Sequence, residues 1–71
     1  YVEIYKSGNY NDAVAVFNSL GVQNVQVRSN GTIAGKLPDG RNVNVRNRSS
    51  EHIPTLEIQH SRNEIIKIRY R

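Results

Sequence analysis

Alternation of apolar with polar residues in four short runs constrains this chain more than any other feature. The runs are NVQVR, RNVNVRNR, TLEIQ and EIIKIRYR. Successive side chains of a β-strand point to opposite faces, so these runs predict strands with one buried side. Val25, Val27, Val43, Val45, Leu56, Ile58, Ile66, Ile68 and Tyr70 fall on that side and form the expected core. The opposite side receives Gln26, Arg28, Lys36, Asn42, Asn44, Arg46, Arg48, Thr55, Glu57, Gln59, Lys67, Arg69 and Arg71. Seven of the ten Lys and Arg residues lie there, against Glu57 alone among the six carboxylates. A solvated polar face is ordinary for an antiparallel sheet, but a one-sided charge is not. Arg, Lys, Asn, Gln and Thr together supply phosphate donors and base-edge hydrogen bonds, the footprint of a nucleic-acid surface.

Upstream of the alternating runs the period changes. In NYNDAVAVFNSLG, Tyr10, Ala13, Val14, Phe17 and Leu20 recur at helical spacing and predict a helix lying across the core face of the sheet. Asn9 is placed to cap it, Asp12 puts a negative charge in its first turn, and Gly21 marks its end. Residues 1 to 8 fit both periods, as a short strand or the end of an earlier helix, and carry no assigned function. Asn30-Gly31 predicts a two-residue hairpin and Pro38-Asp39-Gly40 a second turn. The expected architecture is α+β: an N-terminal helix packed on a twisted antiparallel meander sheet of about four to five strands. Its strands run over Val22 to Arg28, Thr32 to Leu37, Asn42 to Arg48, Thr55 to Gln59 and Glu64 to Tyr70.

Seventy-one residues make a single domain, 1–71, with modest stability, since a chain of this size buries only roughly 60% of its unfolded surface. There is no Cys, which removes disulfides, thiolate nucleophiles and Cys-based zinc sites. The net charge of +4 favours polyanionic partners, nucleic acid first and an acidic protein second. No apolar run approaches the roughly 20 residues of a membrane-spanning helix. The chain starts at Tyr1 without Met or a signal-peptide pattern and is expected to be a fragment of something longer.

Motifs for nucleotide hydrolysis and serine-hydrolase chemistry are absent: there is no GxxxxGK, GxGxxG or GxSxG. Carboxylates are scattered, and His52 and His60 stand eight residues apart without a metal-binding motif, so no metal or cofactor is expected. Acid/base chemistry assisted by cations remains. RNA suits it because the 2′-hydroxyl is a nucleophile carried by the substrate. That reaction needs a base, charge stabilisation on the phosphorane and protonation of the leaving oxygen. Arg46, Lys67 and Arg69 suit the second task, and Glu57 is the candidate base. Ser49 and Ser50 follow Arg46 and Arg48 directly and either cap a local turn or cradle a phosphate. Thr55 points toward the basic face. His52 and His60 are set aside, because a loop and a strand end commonly carry an exposed His without a role, although either would suit proton transfer if it faced a substrate.

Gly31 to Tyr70, through GTIAGKLPDGRNVNVRNRSSEHIPTLEIQ and KIRY, resembles the C-terminal end of bacterial polymorphic toxins of the filamentous-haemagglutinin and contact-dependent growth-inhibition type. The resemblance rests on LPDGR, VNVR, SS, PTLE and KIRY occurring together, and covers somewhat over half the chain. It implies a domain similar to the barnase, EndoU, colicin and RelE group of ribonucleases, closing a large secreted cell-surface protein. Such a domain is expected to act as a metal-independent endoribonuclease on RNA, with tRNA foremost, in the cytoplasm of a competing bacterium. A cognate immunity protein, expected to be acidic, protects the producer. The pattern transfers onto Arg46, Ser49, Ser50, Thr55, Glu57, Lys67, Arg69 and Tyr70. Catalytic roles are thus expected for Arg46, Ser49, Thr55, Glu57, Lys67 and Arg69, and substrate contacts for Lys36, Arg48, Ser50, Tyr70 and Arg71. His52 and Ile53 stand where the pattern has Gly and Arg, which leaves His52 without support from the resemblance. Two other classes stay open: a non-catalytic RNA- or DNA-binding module, disfavoured by the few aromatics outside the core, and a basic domain docking an acidic protein.

Overall fold

A computed structural model describes residues 1–47 and 53–71. The chain runs β1 (Val2–Lys6), α1 (Tyr10–Ser19), β2 (Gln23–Val27), β3 (Ile33–Lys36), β4 (Asn42–Arg46), β5 (Thr55–Ser61) and β6 (Glu64–Tyr70). The six strands form one sheet in the order β1-β6-β5-β4-β3-β2. From β2 to β6 the sheet is an antiparallel meander, as the alternation predicts. The expected purely antiparallel sheet of four to five strands is corrected at its first element. β1 precedes the helix and pairs parallel with β6, with Val2 opposite Ile66 and Ile4 opposite Ile68, so the sheet is mixed and the helix is internal. The reason is that YVEIY alternates as well as it repeats helically, and β6 offers it a free edge to join.

Local chemistry explains the helix ends. The Asn9 side chain accepts from the Asp12 backbone N–H at 3.2 Å while the Asp12 carboxylate accepts from the Asn9 N–H at 2.8 Å, a reciprocal cap that satisfies two otherwise orphaned donors. The helix buries Ala13 and Phe17 against Val43, Val45, Leu56 and Tyr70, with Leu37 completing the buried core. Tyr10, Val14 and Leu20 pack around it, as their spacing predicts.

Ten residues make a helix of only about 15 Å, and α1 reaches β4, β5 and β6 but neither edge strand. Val25 and Val27, expected in the core, are therefore 50% and 72% exposed on β2. The two glycine turns share one form. Arg28 N–H donates to Thr32 C=O at 2.8 Å and Leu37 N–H to Arg41 C=O at 2.8 Å. Each closes a three-residue loop whose last residue, Gly31 or Gly40, has positive φ. The expected two-residue loop at Asn30-Gly31 is thus one residue longer, because Asn30 accepts from the Thr32 N–H at 3.0 Å and holds the wider turn.

Candidate functional site

The face turned away from α1 collects the polar residues of every strand. In register across it run Gln26, Ala34, Asn44, Glu57, Lys67 and Glu3, and in the next row Arg46, Thr55, Arg69 and Tyr5. Side chains opposite one another on neighbouring strands stand close enough to interact. The alternation of β4, β5 and β6 thus brings Arg46, Thr55, Glu57, Lys67 and Arg69 together.

Glu57 is at the centre. Its Oε1 accepts from Arg46 Nη2 at 3.3 Å and lies 4.0 Å from Lys67 Nζ. All three side chains are half-buried, so these charges stay partly open to solvent. Arg46 Nη1 also donates to Asn44 Oδ1 at 3.2 Å, which fixes its guanidinium over β4.

Arg69 and Thr55 stand differently. Arg69 is only 5% exposed and donates from Nε to the Glu3 carboxylate. Its Nη1 donates to Thr55 Oγ1 at 3.2 Å, and the Thr55 hydroxyl in turn donates to Ile53 C=O at 3.2 Å. Thr55 is fully buried with its hydroxyl engaged on both sides, and it positions Arg69. The Arg69 guanidinium holds the Glu3 carboxyl below its ordinary value, against the opposing effect of burial and with help from the Tyr5 hydroxyl, which donates to Glu3 at 3.1 Å.

β1 adds what the sequence reading leaves unassigned. Glu3 is a second carboxylate on a face expected to hold only Glu57, and it offsets the charge of Arg69. Tyr1 and Tyr5 bring two exposed rings to the cationic face, where few aromatics are expected. Lys67 Nζ lies 4.6 Å from the Tyr1 ring centre and Arg71 Cζ 4.2 Å from that of Tyr5, both within cation–π range. The period-2 pattern of YVEIY carries this information once β1 is recognised as a strand.

The remaining candidates scatter. Lys36 is exposed on the same face near Asn42, and Arg71 caps Tyr5 at its other end. Tyr70 points into the core, 3% exposed, and burial followed by the Asp12 charge raises its hydroxyl above the ordinary value. It takes no place on the cationic face. His60 is exposed at the end of β5, where its carbonyl accepts from Arg41 Nη1 at 3.1 Å. Arg48, Ser49, Ser50 and His52 lie outside the described residues. Among the described residues no three His, Asp or Glu side chains gather as metal ligands, and no helix is long and apolar enough to cross a membrane.

Fold and face together define a small α+β domain with one helix on a six-stranded mixed sheet and a cationic, tyrosine-edged open face. No protein-family model, curated protein or solved structure gives a significant match to this chain.

Proposed function

We propose that this domain is a metal-independent endoribonuclease toxin that cuts RNA, tRNA foremost, and is neutralised by an acidic immunity protein. The observation that carries this reading is the Arg46–Glu57–Lys67 cluster: a carboxylate flanked by two half-buried cations at the middle of an open cationic face. A phosphate entering the cluster competes with Glu57 for both cations. The released carboxylate then stands beside the bound phosphate, where it takes the proton of the neighbouring 2′-hydroxyl. The 2′-oxygen attacks phosphorus, and Arg46 and Lys67 stabilise the negative charge of the phosphorane. The bond to the 5′-oxygen breaks, that oxygen takes a proton from solvent water, and Glu57 returns its proton to solvent, leaving 2′,3′-cyclic phosphate and 5′-hydroxyl ends.

Arg69, fixed by Glu3 and Thr55 with its charge matched by Glu3, holds β1 in place beside this centre. Tyr1 and Tyr5 offer stacking surfaces to bases on the β1 side, a contribution of roughly 1–3 kcal/mol per base in single-strand binders. Those two rings also favour a second reading, a single-strand-binding module without cleavage. Incubation of the domain with total tRNA in EDTA separates the two. Fragments ending in 2′,3′-cyclic phosphate support the ribonuclease, a mobility shift of intact tRNA supports the binding module, and neither result leaves a domain that docks an acidic protein.

A further inference from the structure

The polar face dips where β3 crosses it. In the central row Ala34 contributes only a methyl group between Gln26 on β2 and Asn44 on β4. The result is an open trough of ≈ 570 Å³ bordered by Arg28, Asn30, Asn42, Asn44 and Arg46, and reaching Glu57. Small-ligand clefts occupy roughly 300–1,000 Å³, so the trough has room for a flat heterocycle beside the candidate cutting centre.

Hydrogen bonding within its walls decides what the trough presents. A guanidinium has only donors, so the 3.2 Å contact with Arg46 Nη1 fixes the Asn44 amide with its oxygen toward Arg46. The two N–H groups of Asn44 have no partner among the described residues. Asn30 is fixed likewise, its oxygen accepting from the Thr32 N–H at 3.0 Å. With Arg28 and Arg46 these amides line one end of the trough with donors. Asn42 is oriented the other way: its Nδ2 donates to Gln59 Oε1 at 3.1 Å, leaving its own oxygen as an acceptor. Away from the Arg46–Lys67 cluster, that oxygen disfavours a phosphate in the trough but admits a neutral base.

We propose that this trough is a nucleobase subsite for single-stranded RNA and that it selects guanine, an inference that rests on the ribonuclease reading of the neighbouring cluster. Guanine joins an O6/N7 edge of two acceptors to an adjoining edge of N–H donors, matching the donor end at Asn44 and the acceptor at Asn42. Adenine places an amino donor beside N7, where Asn44 and Arg46 present donors of their own. Ala34 supplies the apolar floor on which the ring lies.

The test is equilibrium binding, read by fluorescence anisotropy, of short single-stranded 2′-O-methyl RNAs, whose blocked nucleophile prevents cutting. Three probes differ at one position, carrying guanine, 7-deazaguanine or adenine. The guanine probe is expected to bind about tenfold more tightly than the adenine probe, with 7-deazaguanine between them, as for loss of part of a two-point base contact. Asn44→Asp keeps an acceptor for Arg46 and offers no donor, so it is expected to bring the guanine-to-adenine ratio near one. Equal binding of the three probes by the unaltered domain overturns the proposal, as does a ratio that survives Asn44→Asp. If unmodified tRNA is cut while the probes bind equally, only the base subsite falls. If no probe binds and no tRNA is cut, the ribonuclease reading falls with it.

Discussion

Arg69 on the last strand donates from its Nε to the carboxylate of Glu3 on the first, 66 residues away in sequence. The pair fastens β1 to β6 on the cationic face and leaves a nearly buried guanidinium with a matching charge. Removing one partner of such a pair is costly because it strands the other. The same contact, with the Thr55 hydroxyl on the other side of Arg69, sets this buried cation apart from the half-buried Arg46 and Lys67 around Glu57.

Glu3 gives the pair a pH signature. Because Arg69 holds the Glu3 carboxyl below its ordinary 4.5, its contribution to stability is complete above that value and is lost as pH falls through the lower folded one. Glu3→Gln is expected to melt below the parent at neutral pH, with the gap narrowing as pH drops below 4.5. Thermal denaturation of both proteins across pH 3 to 7 measures this; a gap independent of pH shows that Glu3 is not ion-paired.

Arg46→Ala and Lys67→Ala are each expected to reduce RNA cleavage by roughly 10²- to 10³-fold, the usual cost of losing one preorganised charge-stabilising donor. Circular dichroism should stay native. Arg41→Ala, which removes a side chain bonded to Asp39 and to the His60 carbonyl, should only weaken binding. A reversed ranking moves the reaction centre away from Glu57.

Salt titration addresses the whole face. With Arg28, Lys36, Arg46, Lys67 and Arg71 open to phosphates, RNA affinity is expected to fall by about an order of magnitude or more between roughly 50 and 200 mM salt. A flat response measured by filter binding places the RNA elsewhere.

Leu56 is fully buried in the centre of the core. Leu56→Ala is expected to cost about 2–5 kcal/mol in denaturant unfolding, enough to unfold much of so small a domain. A melting curve like the parent's contradicts the face assignment of β5, and with it the position of Glu57.

Gly35 tests the neighbouring edge. A Cβ there falls 2.3 Å from Val22 Cγ1 and 3.0 Å from the Gln23 carbonyl oxygen, so the Val22 side chain must move and the start of β2 give slightly to admit it. Gly35→Ala is expected to destabilise by about 1–3 kcal/mol, as overpacking does. Equal stability of the variant, measured by urea denaturation, shows that β2 does not press on β3.

Local pattern by itself determined the interior of the sheet. The alternation of β4, β5 and β6 assigned Val43, Val45, Leu56 and Ile68 to one face and Arg46, Glu57 and Lys67 to the other, because strand geometry converts sequence parity directly into sidedness. Helix spacing placed Ala13 and Phe17 in the core, and Asn9 marked the helix start for equally local reasons. Only the tertiary structure decided the rest. Which edge YVEIY joins depends on what β6 leaves unpaired, and that pairing alone put Glu3, Tyr1 and Tyr5 on the cationic face. Whether Val25 and Val27 are buried depends on how far a ten-residue helix reaches, not on their own alternation. Thr55 and Arg69 share the parity of Glu57, yet they lie buried because Glu3 and the Ile53 carbonyl bind them from outside their own strands. Parity along a strand is local and readable; partners across strands are set by packing between residues far apart in the chain.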